Sequence, residues 1–277
     1  MSAITMHPKR TVGPFSGFRK MVWKEWRQSI RGATIWVISL VTLLFADTSP
    51  ILAKYMNELM GTLLDPALAQ IMNSQLSAPT WVDAYGQWDK NMTQIVAIIF
   101  VLIAGGAISS EVKSGSAAMI LTRNVSRSAF VLAKIAVNIS TALIVSMAGA
   151  LITWVLTVIL FDTAPAGPLF ASAFVWWLAV AFLICVTVLA SAWVGNSIGA
   201  GGVGIGVYAL MNLLGVWAPT RTYSPGGTFA LASTFTAGSD ATSMLEIAEI
   251  WGPIVTTSLC AVIIIYLTCT VFNHREI

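Results

Sequence analysis

The chain has 277 residues, of which 57% are hydrophobic and only 10% charged, with a formal net charge of +3 and a mean hydropathy of +0.80. Soluble domains keep about a quarter of their residues charged, so this composition excludes a soluble globular protein and points to a chain solvated by lipid. The two histidines, His7 and His274, lie near the chain ends, and Cys185, Cys260 and Cys269 all fall inside apolar runs. That usage offers no metal-ligand cluster, no disulfide framework and no imidazole for acid-base work within a membrane.

Residues 1–31 are basic and aromatic, without an apolar core of signal-peptide length, so targeting is expected from the first span. Within this cytoplasmic N-terminus, Phe15, Phe18, Val22 and Trp26 recur at helical spacing among Arg19, Lys20, Lys24, Arg27 and Arg31. The pattern predicts an amphipathic helix lying on the membrane surface, with a plain extension of the first span as the simpler alternative. Residues 32–277 form one transmembrane domain. A span needs about 20 apolar residues, and six segments supply them: 30–47, 91–110, 134–160, 170–193, 197–217 and 252–272. The connection 48–90 is too polar to cross and reads as an external loop carrying one or two surface helices.

Lysine and arginine bias sets the orientation of such a chain. With the N-terminus inside, Lys9, Arg10, Arg19, Lys20, Lys24, Arg27, Arg31, Lys113, Arg123, Arg127, Lys134 and Arg275 are cytoplasmic, and only Lys54, Lys90 and Arg221 are external. Both termini are therefore expected in the cytoplasm.

The spans carry no charged residue except near their edges, which argues against an ion-coupled transporter. An intramembrane hydrolase would need a base that these spans lack. No segment matches the phosphate-cradling pattern GxxxxGK[ST], so the chain is not expected to hydrolyse ATP itself. The run GAGGVGIG at 199–206 lies in an apolar segment and not after a strand, which disfavours a dinucleotide loop. Gly195, Gly199, Gly202 and Gly206 are instead expected to let a neighbouring helix approach closely. Among neutral polar and aromatic residues, Gln94, Asn138, Asn212 and Trp176 are candidates to line a substrate path. Hydrogen bonding between helices and lipid contact explain such residues equally well.

The cytoplasmic connection 111–133 is the most informative segment. Its basic residues suit lipid headgroups, and Lys134 just beyond it reads the same way. Ala117, Ala118, Met119, Ile120 and Leu121 form an apolar patch rimmed by charge, which suits a protein docking site. Glu111, Gly115, the apolar run, then Val125, Ser126, Arg127, Phe130, Ala133 and Lys134 resemble the first cytoplasmic loop of the type-2 permeases of ATP-binding cassette transporters (the ABC-2 type permease family). The sequence departs from that pattern at Asn124, where the family usually has proline. Trp23, Lys24, Glu25, Trp26 and Arg27 resemble the family's N-terminal surface helix, and Phe272, Arg275, Glu276 and Ile277 resemble its ending.

The resemblance implies an all-α integral membrane protein of type-2 exporter fold. Its parts would be an interfacial helix, six transmembrane helices, a cytoplasmic coupling helix at 111–121 and a re-entrant element within 222–251, before the last span. It implies a non-enzymatic permease subunit in the plasma membrane of a prokaryote. The partners would be two copies of a separate ATPase subunit, a second permease that is identical or paralogous, and membrane lipids, with no nucleic acid. ATP and Mg would bind the ATPase, and no cofactor would bind this chain. Glu111, Lys113, Gly115, Met119, Leu121 and Arg123 would couple to the ATPase, supported by Lys24, Glu25 and Arg27. The substrate would be hydrophobic or amphipathic: a drug, an antimicrobial peptide or a lipid. A non-transporting membrane assembly or scaffold protein is the main alternative reading.

Overall fold

The computed structural model describes residues 17–63, 78–122 and 125–275. The described residues are almost wholly helical, as expected where backbone groups must be satisfied without water. Six helices among the described residues are long and apolar enough to cross a membrane, which makes this an all-α, multi-pass membrane protein.

Helix α1 (Phe18–Arg31) stops at Gly32, where the backbone turns extended, and α2 (Ala33–Leu63) follows. Met21 and Glu25 form the buried face of α1, while Trp23 points outward. Helix α2 runs through Pro50 and continues well past residue 47. At 31 residues it is about 46 Å long, against about 30 Å of hydrocarbon. Proline cannot donate to the carbonyl one turn earlier, and Thr153 Oγ1 donates to that orphan, Ala46 O, at 3.4 Å.

The second span begins earlier than residue 91, with α3 (Trp81–Asn91), a π turn (Met92–Val96) and α4 (Ala97–Gly106) in one run. Much of the segment 48–90 is therefore helix continuous with the first two spans. Residues 64–77 lie outside the described residues. Two short helices, α5 (Ser109–Lys113) and α6 (Ser116–Leu121), lead into α7 (Arg127–Phe161), whose N-cap Ser126 accepts from Ala129 N at 3.1 Å.

Helix α8 (Ala166–Val194) is apolar on all sides and occupies the centre, packed by α7, by α9 (Ser197–Leu214) and by α4. Three short helices follow α9: α10 (Ala218–Tyr223), α11 (Gly227–Thr236) and α12 (Ser239–Ser243). Helix α11 packs on α8 and buries Thr228, Phe229, Leu231 and Ala232. The last helix, α13 (Ile247–His274), lies against α8 but exposes Val255, Leu259, Val262, Ile263 and Tyr266, as a lipid-facing helix does.

Close packing of α9 uses a different set of glycines from the expected one. A Cβ on Gly105 would lie 2.9 Å from both Gly201 N and Ser197 O, so α4 and α9 touch through backbone. Gly202 and Gly206 face open space, and Gly199 meets only the Val194 side chain at the end of α8. Gly195 serves as the left-handed cap of α8, with φ 67°. The packing stripe is thus Ser197, Gly201 and Gly204, because the inward side of α9 is set by where α4 lies and not by glycine spacing alone.

The bundle has two chemically distinct poles. At one, Arg127 Nη1 donates to Asn273 O at 3.0 Å and Arg275 O at 2.6 Å, and Arg275 donates to Ala192 O. Phe272 stacks on Phe130 with centroids 5.4 Å apart, so the last turn of the last long helix is clipped onto α7. This pole also carries α1, α5 and α6. The other pole holds the end of α2, the start of α3 and α10 to α12, with Lys54 donating to Leu160 O and Tyr85 to Pro165 O.

Candidate functional site: an ion quartet joining three helices

Four charged residues close a ring at the basic pole. Lys134 Nζ, seven residues into α7, donates to Glu111 Oε1 at 2.8 Å and to Glu25 Oε2 at 3.0 Å. Lys24 Nζ donates to Glu25 Oε1 at 2.8 Å and to Glu111 Oε1 at 3.2 Å. Each carboxylate meets both ammonium groups, so the quartet is electrically neutral. The ring links α1, α5 and α7.

Burial makes this ring a structural joint. The Lys134 side chain is only 4% exposed and also lies over the Phe130 ring at 5.0 Å. An ammonium in such a place is tolerated only with anionic partners. Burial alone would pull the Lys24 pKa down. The hydrogen bond to Glu25 and the charges of Glu25 and Glu111 outweigh it and hold that pKa above the usual 10.5.

The loop built on this joint has an inner and an outer side. Gly115 takes φ 73°, a left-handed turn that favours glycine, and reverses the chain between α5 and α6. The Ser114 and Ser116 hydroxyls both donate to Glu111 O at 3.2 Å and hold that turn. Ala117 is buried, and Ile120 and Leu121 lean on the core. Ala118, Met119 and Lys113 face outward, Met119 at 68% exposure. The apolar patch is therefore split, with Met119 its exposed tip. Arg27 is exposed and outside the quartet. Arg123 lies outside the described residues.

The structure separates the four candidate pathway residues. Gln94 and Asn212 come together in a cavity of about 270 Å³ near the opposite pole, with Asp89, Lys90 and Thr93. Asn138 is used locally, its side-chain amide donating to Lys134 O at 2.8 Å. Trp176 is fully buried, edge-on to Phe100 at 6.5 Å, and belongs to the core.

Sequence reading missed two residues. Lys134 reads from sequence as a headgroup contact, although its place two turns inside an apolar helix already calls for an anion. Asp89 falls in the expected external loop 48–90, whereas α3 carries it into the second long helix, where it is 4% exposed. The alternation of Trp81, Tyr85 and Trp88 at helical spacing was the available signal.

No curated protein matches the chain. A family profile covers residues 69–277, which include Glu111 and Lys134 but not α1. The chain belongs to this family, whose description is a protein of unknown function (DUF2705).

Proposed function

We propose that this chain is the permease subunit of an ATP-driven exporter, moved by a separate ATPase that docks on α5 and α6. The observation that supports the reading is the ion quartet. It fastens the α5–α6 loop to α1 and α7 while leaving Lys113 and Met119 outward. A force on that outward side is delivered to three helices as one body. Glu111, Glu25, Lys24 and Lys134 transmit the force, Gly115 shapes the loop, and Met119 with Lys113 meets the partner. Leu121 supports α6 from inside.

In this reading the basic pole is cytoplasmic, in keeping with the lysine and arginine bias. The short helices α10 to α12 re-enter from the other side, covered by α8 and α13. ATP binds the partner and favours one arrangement of paired permeases over another, since only a difference in binding between two states moves the equilibrium. The second permease is a copy of this chain or a paralogue.

The test is gentle purification from the native membrane with Met119→Asp and Lys113→Glu variants alongside the parent. A stoichiometric soluble ATPase that is lost from the variants supports the reading. A monodisperse parent without any ATPase sinks it and favours an assembly or scaffold role. Asp89 lends weight to an ion-driven transporter as a second reading, because it places an acid inside a long helix. Substrate movement that persists without ATP under an imposed ion gradient would select that reading.

A further inference from the structure

Asp89 is a buried carboxylate that makes no ion pair among the described residues, with Lys90 beside it acting only at a distance. Its side chain is 4% exposed, and Oδ1 accepts one long hydrogen bond, from Ser172 at 3.4 Å. Among the described residues every ion pair belongs to the quartet at the other pole. The connecting residues 64–77 contain no lysine or arginine that would reach it. A carboxyl so buried stays charged only beside a cation and is otherwise protonated.

The surroundings are built to receive one. Asp89 lines the 270 Å³ cavity together with Thr93, Asn212 and Phe229. Thr93 Oγ1 is buried without a hydrogen-bond partner. Phe229 is the aromatic residue lining this cavity, and Tyr208 meets its ring edge-on at 6.0 Å while donating its hydroxyl to Thr93 O at 3.0 Å. Aromatic faces and carboxylates together suit an ammonium group. Asn212 donates through its amide nitrogen to Tyr208 O, so its oxygen is left as an acceptor.

Lys90 gives the site its second charge. It is exposed, and it lines both this cavity and a neighbouring one of about 400 Å³. The second cavity has an apolar side, Leu52, Ala53 and Met56 of α2 with Val82 of α3, and a polar side that includes Asp83, Gln87, Ser233 and Thr236. Lys90 and Ser233 line both cavities and so join the acid's cavity to the apolar side of the second.

We infer that this paired cavity binds a zwitterionic amphipath, an ammonium and a phosphate on one alkyl tail. The ammonium lies at Asp89, the phosphate at Lys90, and the tail along Leu52, Met56 and Val82. This deepens the exporter reading by naming its substrate class, and it rests on that reading only for the direction of transport.

The test is equilibrium binding to the purified full-length protein in maltoside detergent. The probes are dodecylphosphocholine, dodecyltrimethylammonium and dodecyl sulfate, each below its micellar concentration, and free phosphocholine. The expected result is at least tenfold preference for dodecylphosphocholine over the other three, lost in Asp89→Asn and reduced in Lys90→Gln. Should Asp89→Asn fail to fold, Ser233→Trp, at the exposed junction of the two cavities, is expected to abolish the same binding. Equal binding of all alkyl probes, preference for the simple cation, or an unchanged Asp89→Asn would each overturn the inference. Free phosphocholine bound as tightly as the alkyl form would overturn the placing of the tail. None of these readouts involves an ATPase, so a failed partner search leaves them standing.

Discussion

Lys134 Nζ lies 2.8 Å from Glu111 Oε1, joining the third long helix to the short helix that ends the second. Replacing Lys134 by Met leaves Glu111 and Glu25 as a buried pair of like charges facing each other without their main counter-ion. The expected loss is about 3–5 kcal/mol, the cost of breaking a buried pair from one side. Thermal unfolding in detergent reads this as a large drop in Tm. Adding Glu111→Gln to Lys134→Met should recover part of it, since the two residues act as a unit.

Lys24 should behave differently from Lys134. Its side chain is 38% exposed, so solvent screens it, and Lys24→Ala is expected to cost about 1 kcal/mol or less. The folded-state pKa is raised above 10.5, so its contribution is full below that value and fades only as pH rises through the folded value. The Tm difference between parent and Lys24→Ala should therefore be constant from about pH 7 to 9. A difference that shrinks within that range would show that Lys24 is not held by the two glutamates.

Gly105 and Gly202 make a matched pair of substitutions. Gly105→Ala places a methyl 2.9 Å from the Gly201 and Ser197 backbone, where neither side yields cheaply. Overpacking of this kind costs about 1–3 kcal/mol. Gly202→Ala meets nothing within 4 Å and should be neutral or raise the Tm slightly, by the smaller entropy of the unfolded chain. The reverse order of Tm values would show that the packing stripe of α9 is on its other side.

Thr153 and Pro50 make a test of backbone satisfaction. Thr153→Val removes the donor to Ala46 O, for an expected cost of about 0.6 kcal/mol, typical of a side-chain hydrogen bond between membrane helices. In a Pro50→Ala background the restored amide bonds Ala46 O within α2, and the same Thr153→Val change should cost nothing. Equal effects in both backgrounds would rule out the compensating role of Thr153.

Cysteine labelling in intact cells or sealed vesicles reads the orientation. Exposed Lys113 and exposed Lys90 mark opposite poles. In a background lacking Cys185, Cys260 and Cys269, Lys113→Cys should react with an impermeant maleimide only from the cytoplasmic side. Lys90→Cys should react only from the other side. Labelling of both from one side would refute the six-crossing arrangement.

The amino-acid sequence by itself determined the solvent and the elements. Apolar runs of bilayer length leave a chain no choice but helix, because every amide must find its partner within the segment. All six long helices follow from that rule, and the amphipathic helix ahead of them follows from the spacing of Phe18, Val22 and Trp26. What it left open were relations between elements. Lys134, Glu25 and Glu111 are far apart along the chain, and each alone reads as an interfacial charge. Only the meeting of α1, α5 and α7 turns them into one neutral ring. Likewise the glycines of α9 were visible, but which of them faces α4 depends on how two cylinders roll against each other, a choice that packing makes and spacing does not. Asp89 is the sharpest case. Its residue type says solvent, and it is buried because Trp81, Tyr85 and Trp88 draw the polar start of the second long helix into the bundle. Long-range packing energy, summed over many apolar contacts, there overrides the preference of a single charge.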